Sequence, residues 1–258
     1  MDKLTIILLI SFSIAFFVQC YFWLMVLKRA AIDDIKSYSS VDIKGISVIV
    51  CALNEYENLK KLIPILLKQQ HEKFEVIIVN DRSTDNTELL KGEFRNDHLS
   101  FVDILKTPLG FDHKKYALQE GIKKAKYNYV LLTDADCTPR SPRWIKEMQK
   151  GLHAKKEIVL GLSFYDREPS LLNHFIQFET YYTAIQYLGF TQIGFPYMGV
   201  GRNLMYKKDL FMQNTKFKTV KSHVGGDDDL VIQQFMGFTN TTTSICSDSQ
   251  TSSIPEKT

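Results

Sequence analysis

Four polar segments carry the residue types that can do chemistry: Asn54-Glu55, Asn80-Asp81, Thr133-Asp134-Ala135-Asp136 and Gly225-Gly226-Asp227-Asp228-Asp229. Asp134 and Asp136 stand one residue apart after an apolar run. Two carboxylates so placed repel each other unless a cation lies between them, and hard oxygen donors suit Mg²⁺ or Mn²⁺ held jointly with substrate phosphates. A surface turn is the alternative, and Pro139 and Pro142 downstream favour it. Asp227, Asp228 and Asp229 crowd the start of an expected helix beginning at Leu230 and Val231. The helix macrodipole accounts for one or two of them. A third in succession suggests a general base within reach of an acceptor hydroxyl.

Glu55 and Asp81 offer carboxylates that suit ribose hydroxyls or a base N–H, with Asn54 and Asn80 beside them. Ser83, Thr84 and Asp85 read as a turn and a helix cap; for Asp81 itself, capping and ligand binding both stay open. Lys114 and Lys115 are either solvated charge at a helix start or neutralise a diphosphate. Gly199, Gly201, Arg202 and Asn203 form a polar patch in which glycine lets a ligand approach the backbone closely.

The elements around these segments have an α/β pattern. Ile46–Val50 and Val76–Val79 are near-continuous β-branched runs, as expected of parallel strands covered on both faces, and Phe101–Leu105 and Tyr129–Leu132 read as further strands. The polar pairs therefore fall at the carboxyl ends of strands, where open α/β sheets bind ligands. Leu59, Leu62, Ile63, Leu66 and Leu67 recur at helical spacing, with Pro64 predicting a kink or a shortened helix. A second stripe runs through Ala117, Leu118, Gly121, Ile122 and Ala125. The aromatic segment holding Phe175, Phe178, Tyr181, Tyr182, Tyr187 and Phe190 fits core, a lipid-facing helix or an acceptor platform; core packing is the expectation, because apolar stripes usually face the core. The Thr/Ser-rich stretch Thr239–Ser253 reads as loop or edge strand.

Leu4–Leu27 runs without a charge for long enough to cross a hydrocarbon core. No small-x-small cleavage site precedes Lys28, so an anchor is preferred to a cleaved leader. Tyr21 and Trp23 suit the interface, and Lys28-Arg29 place the following residues in the cytosol. The expected organisation is an anchor over residues 1–28, a connector over 29–45 and a catalytic domain over 46–258. A formal charge of +3 from 32 basic and 29 acidic residues does not suggest a nucleic-acid partner. Four scattered cysteines make no Cys-x-x-Cys pair, and six histidines make no zinc spacing. Neither Gly-x-Gly-x-x-Gly nor a P-loop is present, which removes the main support for dehydrogenase and NTPase readings.

Taken in order, Ser47-Val-Ile-Val-Cys-Ala-Leu-Asn-Glu55, Val79-Asn-Asp-Arg-Ser-Thr-Asp-Asn-Thr87, Lys114 with Ala117-Leu118, Thr133-Asp-Ala-Asp136 and Gly226-Asp-Asp-Asp-Leu230 resemble the family 2 glycosyltransferases of GT-A fold. The resemblance implies a Rossmann-like, mostly parallel sheet and a membrane-bound, bacterial-type enzyme. It implies that Glu55 and Asp81, with Asn54, contact the nucleoside and that Lys114 approaches the diphosphate. Asp134 would touch ribose or sugar, and Asp136, with Asp134 beside it, would hold Mg²⁺ or Mn²⁺. Asp227 takes the position of the catalytic base, with Asp228 as runner-up. Pro196-Tyr-Met-Gly-Val-Gly-Arg-Asn203 looks like the acceptor-side loop bordering the donor sugar, so Gly201, Arg202 and Asn203 join the donor site. The implied reaction is inverting transfer from a nucleotide sugar, a UDP-sugar by expectation, to a saccharide or lipid-linked acceptor. Membrane-bound members continue past a segment like Ser253-Ile-Pro255 into a Gln-x-x-Arg-Trp-like motif, so a C-terminally shortened chain is expected. The rival readings are a nucleotidyltransferase, which would need a glycine-rich basic loop where Ala52-Leu-Asn-Glu55 stands, and an inactive nucleotide-sugar-binding domain.

Overall fold

The computed structural model describes residues 2–30, 44–153, 155–212, 235–237 and 240–254. The four expected strands become β1 (Ile46–Ala52), β2 (Phe74–Asp81), β3 (Leu99–Ile104) and β4 (Tyr129–Leu132), all parallel, in the spatial order β3-β2-β1-β4. Three very short strands, β5 (Cys137–Pro139), β7 (Ser163–Tyr165) and β10 (Thr251–Ser253), form a small separate sheet with β10 in its centre. Beyond β4 the large sheet continues through β8 (Leu204–Lys207), antiparallel to β4, and β6 (Ile158–Gly161) to β9 (Thr241–Ser244) at the edge. The Thr/Ser-rich stretch thus supplies an edge strand, as expected, and a central strand of the small sheet, which was not.

Helices cover both faces, which is why β1 and β2 tolerate unbroken apolar sequence, and the short α3 (Leu90–Glu93) and α5 (Trp144–Gln149) add Leu90, Trp144, Ile145 and Met148 to the core. On one face α2 (Tyr56–Leu67) lays Leu59, Leu62, Ile63 and Leu66 over Val48, Val50, Val76 and Ile78. On the other, α4 (His113–Lys124) packs Ala117, Leu118 and Ile122 against Ile49, Ile77 and Val79. Each such fully buried aliphatic side chain contributes about 1.5–3 kcal/mol. Gly121 permits the close approach of α4, since a Cβ there would lie 2.8 Å from methyls of both Ile49 and Val79. The shortening expected at Pro64 does not occur, and the helix runs on to Leu67.

Two long helices complete the part that bears on function. α1 (Lys3–Ala30) is long and apolar enough to cross a membrane, with mean hydropathy 2.2 over its most apolar window. α6 (Leu171–Gln192) carries the aromatic segment. The expected core packing holds for Ala184, Tyr187 and Leu188 but is wrong for Phe175, Phe178, Tyr181 and Tyr182, which are exposed. The domain holds one face of the helix along its length, through Asn173, Gln177, Ala184, Tyr187 and Leu188, and leaves the face carrying Leu171, Phe175, Phe178 and Tyr182 exposed.

Candidate functional site

The carboxyl ends of β1, β2 and β4 and the start of α4 surround one cleft of about 540 Å³. Glu55, Asp81, Lys114, Asp134 and Asp136 all line it, as do Arg82 and His113. The size lies within the usual range for small-molecule sites, roughly 300–1,000 Å³.

At the tip of β1, Asn54 adopts a left-handed backbone conformation with φ of 60°, which asparagine accepts more readily than most residues. Its side-chain oxygen accepts hydrogen bonds from the Thr84 N–H at 2.7 Å and the Thr84 hydroxyl at 3.2 Å. Its own N–H donates to Ser83 Oγ at 2.9 Å. The Tyr56 N–H donates to Asp85 at 3.1 Å, and the same carboxylate caps the following turn through the Thr87 N–H at 3.0 Å. Burial alone would raise the Asp85 carboxyl, but these hydrogen bonds outweigh it and hold the group below its ordinary value. Asn54 does not line the cleft, and its side chain splints two strand-tip loops. We therefore reassign it from ligand contact to positioning. Glu55, which does line the cleft, accepts a hydrogen bond from Asn58 Nδ2 at 2.6 Å.

At the tip of β2, Asp81 is buried and pairs with the next residue in a two-point ion pair, Arg82 Nε at 2.8 Å and Nη2 at 3.1 Å. Arg82 reaches this geometry through its own left-handed conformation, φ 57°, and the hydrogen bond to Asp81 raises its pKa. A carboxylate has about four lone-pair sites, and Arg82 occupies two of them. Arg82 Nη1 lies 3.4 Å from His113 Nε2, whose other nitrogen meets Thr107 Oγ1 at 2.7 Å. Asp112 caps α4 by accepting from the Lys115 N–H at 3.1 Å, and so orients Lys114. Lys114 Nζ is 3.2 Å from Asp134.

Past β4, oxygens of Asp134 and Asp136 and the sulfur of Cys137 lie within 4.8 Å of one another. Burial, and then the neighbouring Asp134 carboxylate, push the Asp136 carboxyl above its ordinary value, with the Cys137 hydrogen bond and Arg202 partly offsetting them. Burial and the same two carboxylates drive the Cys137 thiol far upward, so it stays protonated and donates to Asp136 at 3.4 Å. A protonated thiol is no ligand for a hard cation. The donor set is therefore two carboxylate oxygens whose repulsion Mg²⁺ or Mn²⁺ would relieve, which fits those ions.

Gly201, Arg202 and Asn203 form a short turn that does not line this cleft. Arg202 acts on Asp136 through its charge and stacks over Tyr165, 4.7 Å from the ring centre. Asn203 requires a correction, because it is completely buried and all its side-chain bonds are internal. It accepts from Trp144 Nε1 at 3.0 Å and donates to the carbonyls of Leu162 at 2.9 Å and Ser249 at 2.8 Å. It ties the Gly201–Asn203 turn to Trp144 and to the chain at Leu162 and Ser249, away from the cleft. Asp227 and Asp228 lie outside the described residues. Sequence reasoning missed Arg82, Asp112 and His113 as lining residues, although an aspartate just before a helical stripe marks Asp112 as a cap.

Residues 47–215 match the family model "Glycosyl transferase family 2". Over 95 residues the chain is 40% identical to a poly-beta-1,6-N-acetyl-D-glucosamine synthase of Staphylococcus epidermidis, covering 36% of this chain and 22% of that synthase. A synthase of the same name from Staphylococcus aureus is 38% identical over 96 residues. The chain thus matches about a fifth of the length of these curated relatives. The fold is similar to that of the mannosyltransferase PcManGT from Pyrobaculum calidifontis, solved with GDP-Man and Mn²⁺, at TM-score 0.68 and 17% identity over 96% of this chain and 68% of that one. It is also similar to S. aureus TarS 1-349 in complex with UDP-GlcNAc, at TM-score 0.58 and 18% identity over 83% of this chain and 59% of that one.

Proposed function

The chain belongs to glycosyl transferase family 2, and we propose that it is an inverting, metal-dependent transferase that moves a sugar from a UDP-sugar to a hydroxyl of a lipid-linked or saccharide acceptor at the cytosolic face of the membrane. The observation that carries this reading is the meeting of Glu55, Asp81, Lys114, Asp134 and Asp136 in one cleft at the ends of three parallel strands. Relatives and neighbours named for UDP-GlcNAc and for a poly-N-acetylglucosamine product favour a UDP-sugar over a GDP-sugar.

In this reading Glu55 and Asp81 accept hydrogen bonds from the nucleoside. Arg82 holds Asp81 in place through its two-point ion pair, and Lys114 turns from Asp134 towards the diphosphate, where its charge stabilises the departing group. A Mg²⁺ or Mn²⁺ held by Asp134 and Asp136 would supply Lewis-acid assistance to the leaving diphosphate. Asp227 takes the proton of the acceptor hydroxyl as that oxygen attacks the anomeric carbon from the opposite side, which inverts the configuration. Lys28-Arg29, following directly on the apolar run of α1, supports an anchor whose C-terminal end faces the cytosol, with the reaction at the inner face.

The test is release of nucleoside diphosphate by membranes carrying the full chain, scored across several nucleotide sugars with and without Mn²⁺. The Asp227→Asn variant should keep donor binding while turnover falls about 10²- to 10⁴-fold. Unchanged turnover would remove Asp227 from the base role. Donor binding by the unaltered chain without release or transfer would favour an inactive binding domain.

A further inference from the structure

We infer that α6 is a second membrane contact: the exposed stripe Leu171, Phe175, Phe178 and Tyr182 seats in the lipid surface around the foot of α1. The inference rests on the reading that α1 crosses the membrane. These four residues recur at spacings of four, three and four and so share one helix face. Their exposures are 91%, 60%, 62% and 43%, and Leu172 and Tyr181 flank them at 57% and 49%. In 22 residues α6 contains one formal charge, Glu179. An exposed apolar face of this kind marks an interaction surface.

The place where α1 meets α6 says what covers that face. Val26 packs into the space left by Gly189, where a Cβ would lie 2.5 Å from Val26 Cγ1. Phe22 lies against Phe190 with ring centres 5.2 Å apart, and Trp23 against Tyr182 at 5.5 Å. Counted from Leu4, Phe22 to Val26 stand about 27–33 Å along a helix of roughly 1.5 Å rise, which is where a hydrocarbon core of about 30 Å ends. A helix docked at that height is held at the boundary between hydrocarbon and headgroups. Lys28 and Arg29 follow within one turn, as expected of side chains facing anionic headgroups. Phe178 stacks on Tyr182 at 5.9 Å, so the aromatic surface runs unbroken from Trp23 of α1 onto α6. The residues of α1 from Leu4 to Gln19 are exposed around the whole helix, so the lipid that surrounds α1 reaches the α6 stripe where α1 ends. Tyrosine and tryptophan at the junction with leucine and phenylalanine beyond it is the pattern of an interfacial helix. Seating α6 this way would fix the domain's orientation to the membrane, which one helix and its connector alone would leave free.

The test uses the full chain in vesicles of phosphatidylcholine and phosphatidylglycerol, with a photoreactive residue introduced singly by Phe12→benzoylphenylalanine, Phe178→benzoylphenylalanine or Leu89→benzoylphenylalanine. Leu89 is an exposed apolar position ending the short turn that follows β2, at the opposite end of the sheet order from β9, against which α6 packs. After illumination, lipid adducts are read by intact mass. The inference expects adducts at Phe12 and at Phe178 in comparable yield, both at least about tenfold above Leu89. Adducts at Phe12 with Phe178 no higher than Leu89 would overturn it while the anchor stands. Absence of adducts at Phe12 would remove the anchor and this inference together. A protein adduct at Phe178 in place of lipid would assign the stripe to a protein partner and overturn it as well.

Discussion

Asp136→Asn should make the chain more stable without divalent metal and less stable with it. Oxygens of Asp134 and Asp136 lie within 4.8 Å of each other. Unit charges at that separation repel by roughly 1–3.5 kcal/mol for an effective dielectric between about 80 and 20. Lys114, 3.2 Å from Asp134 but half exposed, and Arg202 near Asp136 cancel part of this. A net gain of about 1 kcal/mol is expected, which raises the melting temperature by roughly 2–4 °C for a domain of this size. Saturating Mn²⁺, at about 100 times its Kd, should stabilise the unaltered chain by about 2.7 kcal/mol, and the variant should lose most of that response. The sign with pH follows from the direction of the Asp136 shift. Its carboxyl is raised in the folded chain, so the folded state holds the proton more tightly and stability falls as pH rises from the ordinary carboxylate value, about 3.9, through the raised one. The advantage of the variant should therefore vanish below about pH 4, where the native carboxyl is protonated in both states. Thermal unfolding of the full chain in EDTA and in Mn²⁺, at acidic and neutral pH, measures all of this. A variant less stable than the parent in EDTA, or one that keeps the full Mn²⁺ response, would refute the reasoning.

Asn203→Ala should destabilise by roughly 2–4 kcal/mol, because Trp144 Nε1 and the carbonyls of Leu162 and Ser249 would lose their buried partner; urea unfolding checks this, and a loss of donor affinity at unchanged stability would contradict the structural role. Asp85 has a lowered carboxyl in the folded chain, so its contribution is present above about pH 3.9 and is lost as pH falls through the lowered value. Acid unfolding of Asp85→Asn should accordingly show a shallower loss in that window than the parent.

The parts of this molecule legible in its sequence are those set by local pattern. The runs that became β1 and β2 are β-branched because helices cover both faces, and the stripes of α2 and α4 appear at helical spacing for the same reason. The acidic pairs were placed at strand ends by that pattern alone. The burial of Asn203 was not legible because its chain neighbours Gly201 and Arg202 mark only a polar loop; its surroundings are set by Trp144 and Gly161, far away in the chain. At Gly161, a Cβ would lie 2.4 Å from the Asn203 amide, so the site exists only once β6 and the Gly201–Asn203 turn have met. Asn54 was misread for a related reason, since an amide that binds a ligand and one that splints a loop have the same sequence. The stripe of α6 was ambiguous because core and lipid select the same residues at the same spacing, and only the fold shows that Phe175, Phe178 and Tyr182 are exposed while Ala184, Tyr187 and Leu188 are buried.

The central claim is that acidic strand ends from separate parts of the chain build one nucleotide-sugar site. Calorimetric titration of the purified full chain with UDP-GlcNAc in the presence of Mn²⁺ tests it most directly, comparing the parent with Asp81→Ala, Asp136→Asn and, as a control away from the cleft, Asp248→Ala. The account predicts that the first two variants lose at least about tenfold in affinity, as expected when about 1.4 kcal/mol or more is removed, and that the control binds like the parent. Parent-like binding by both Asp81→Ala and Asp136→Asn would contradict it.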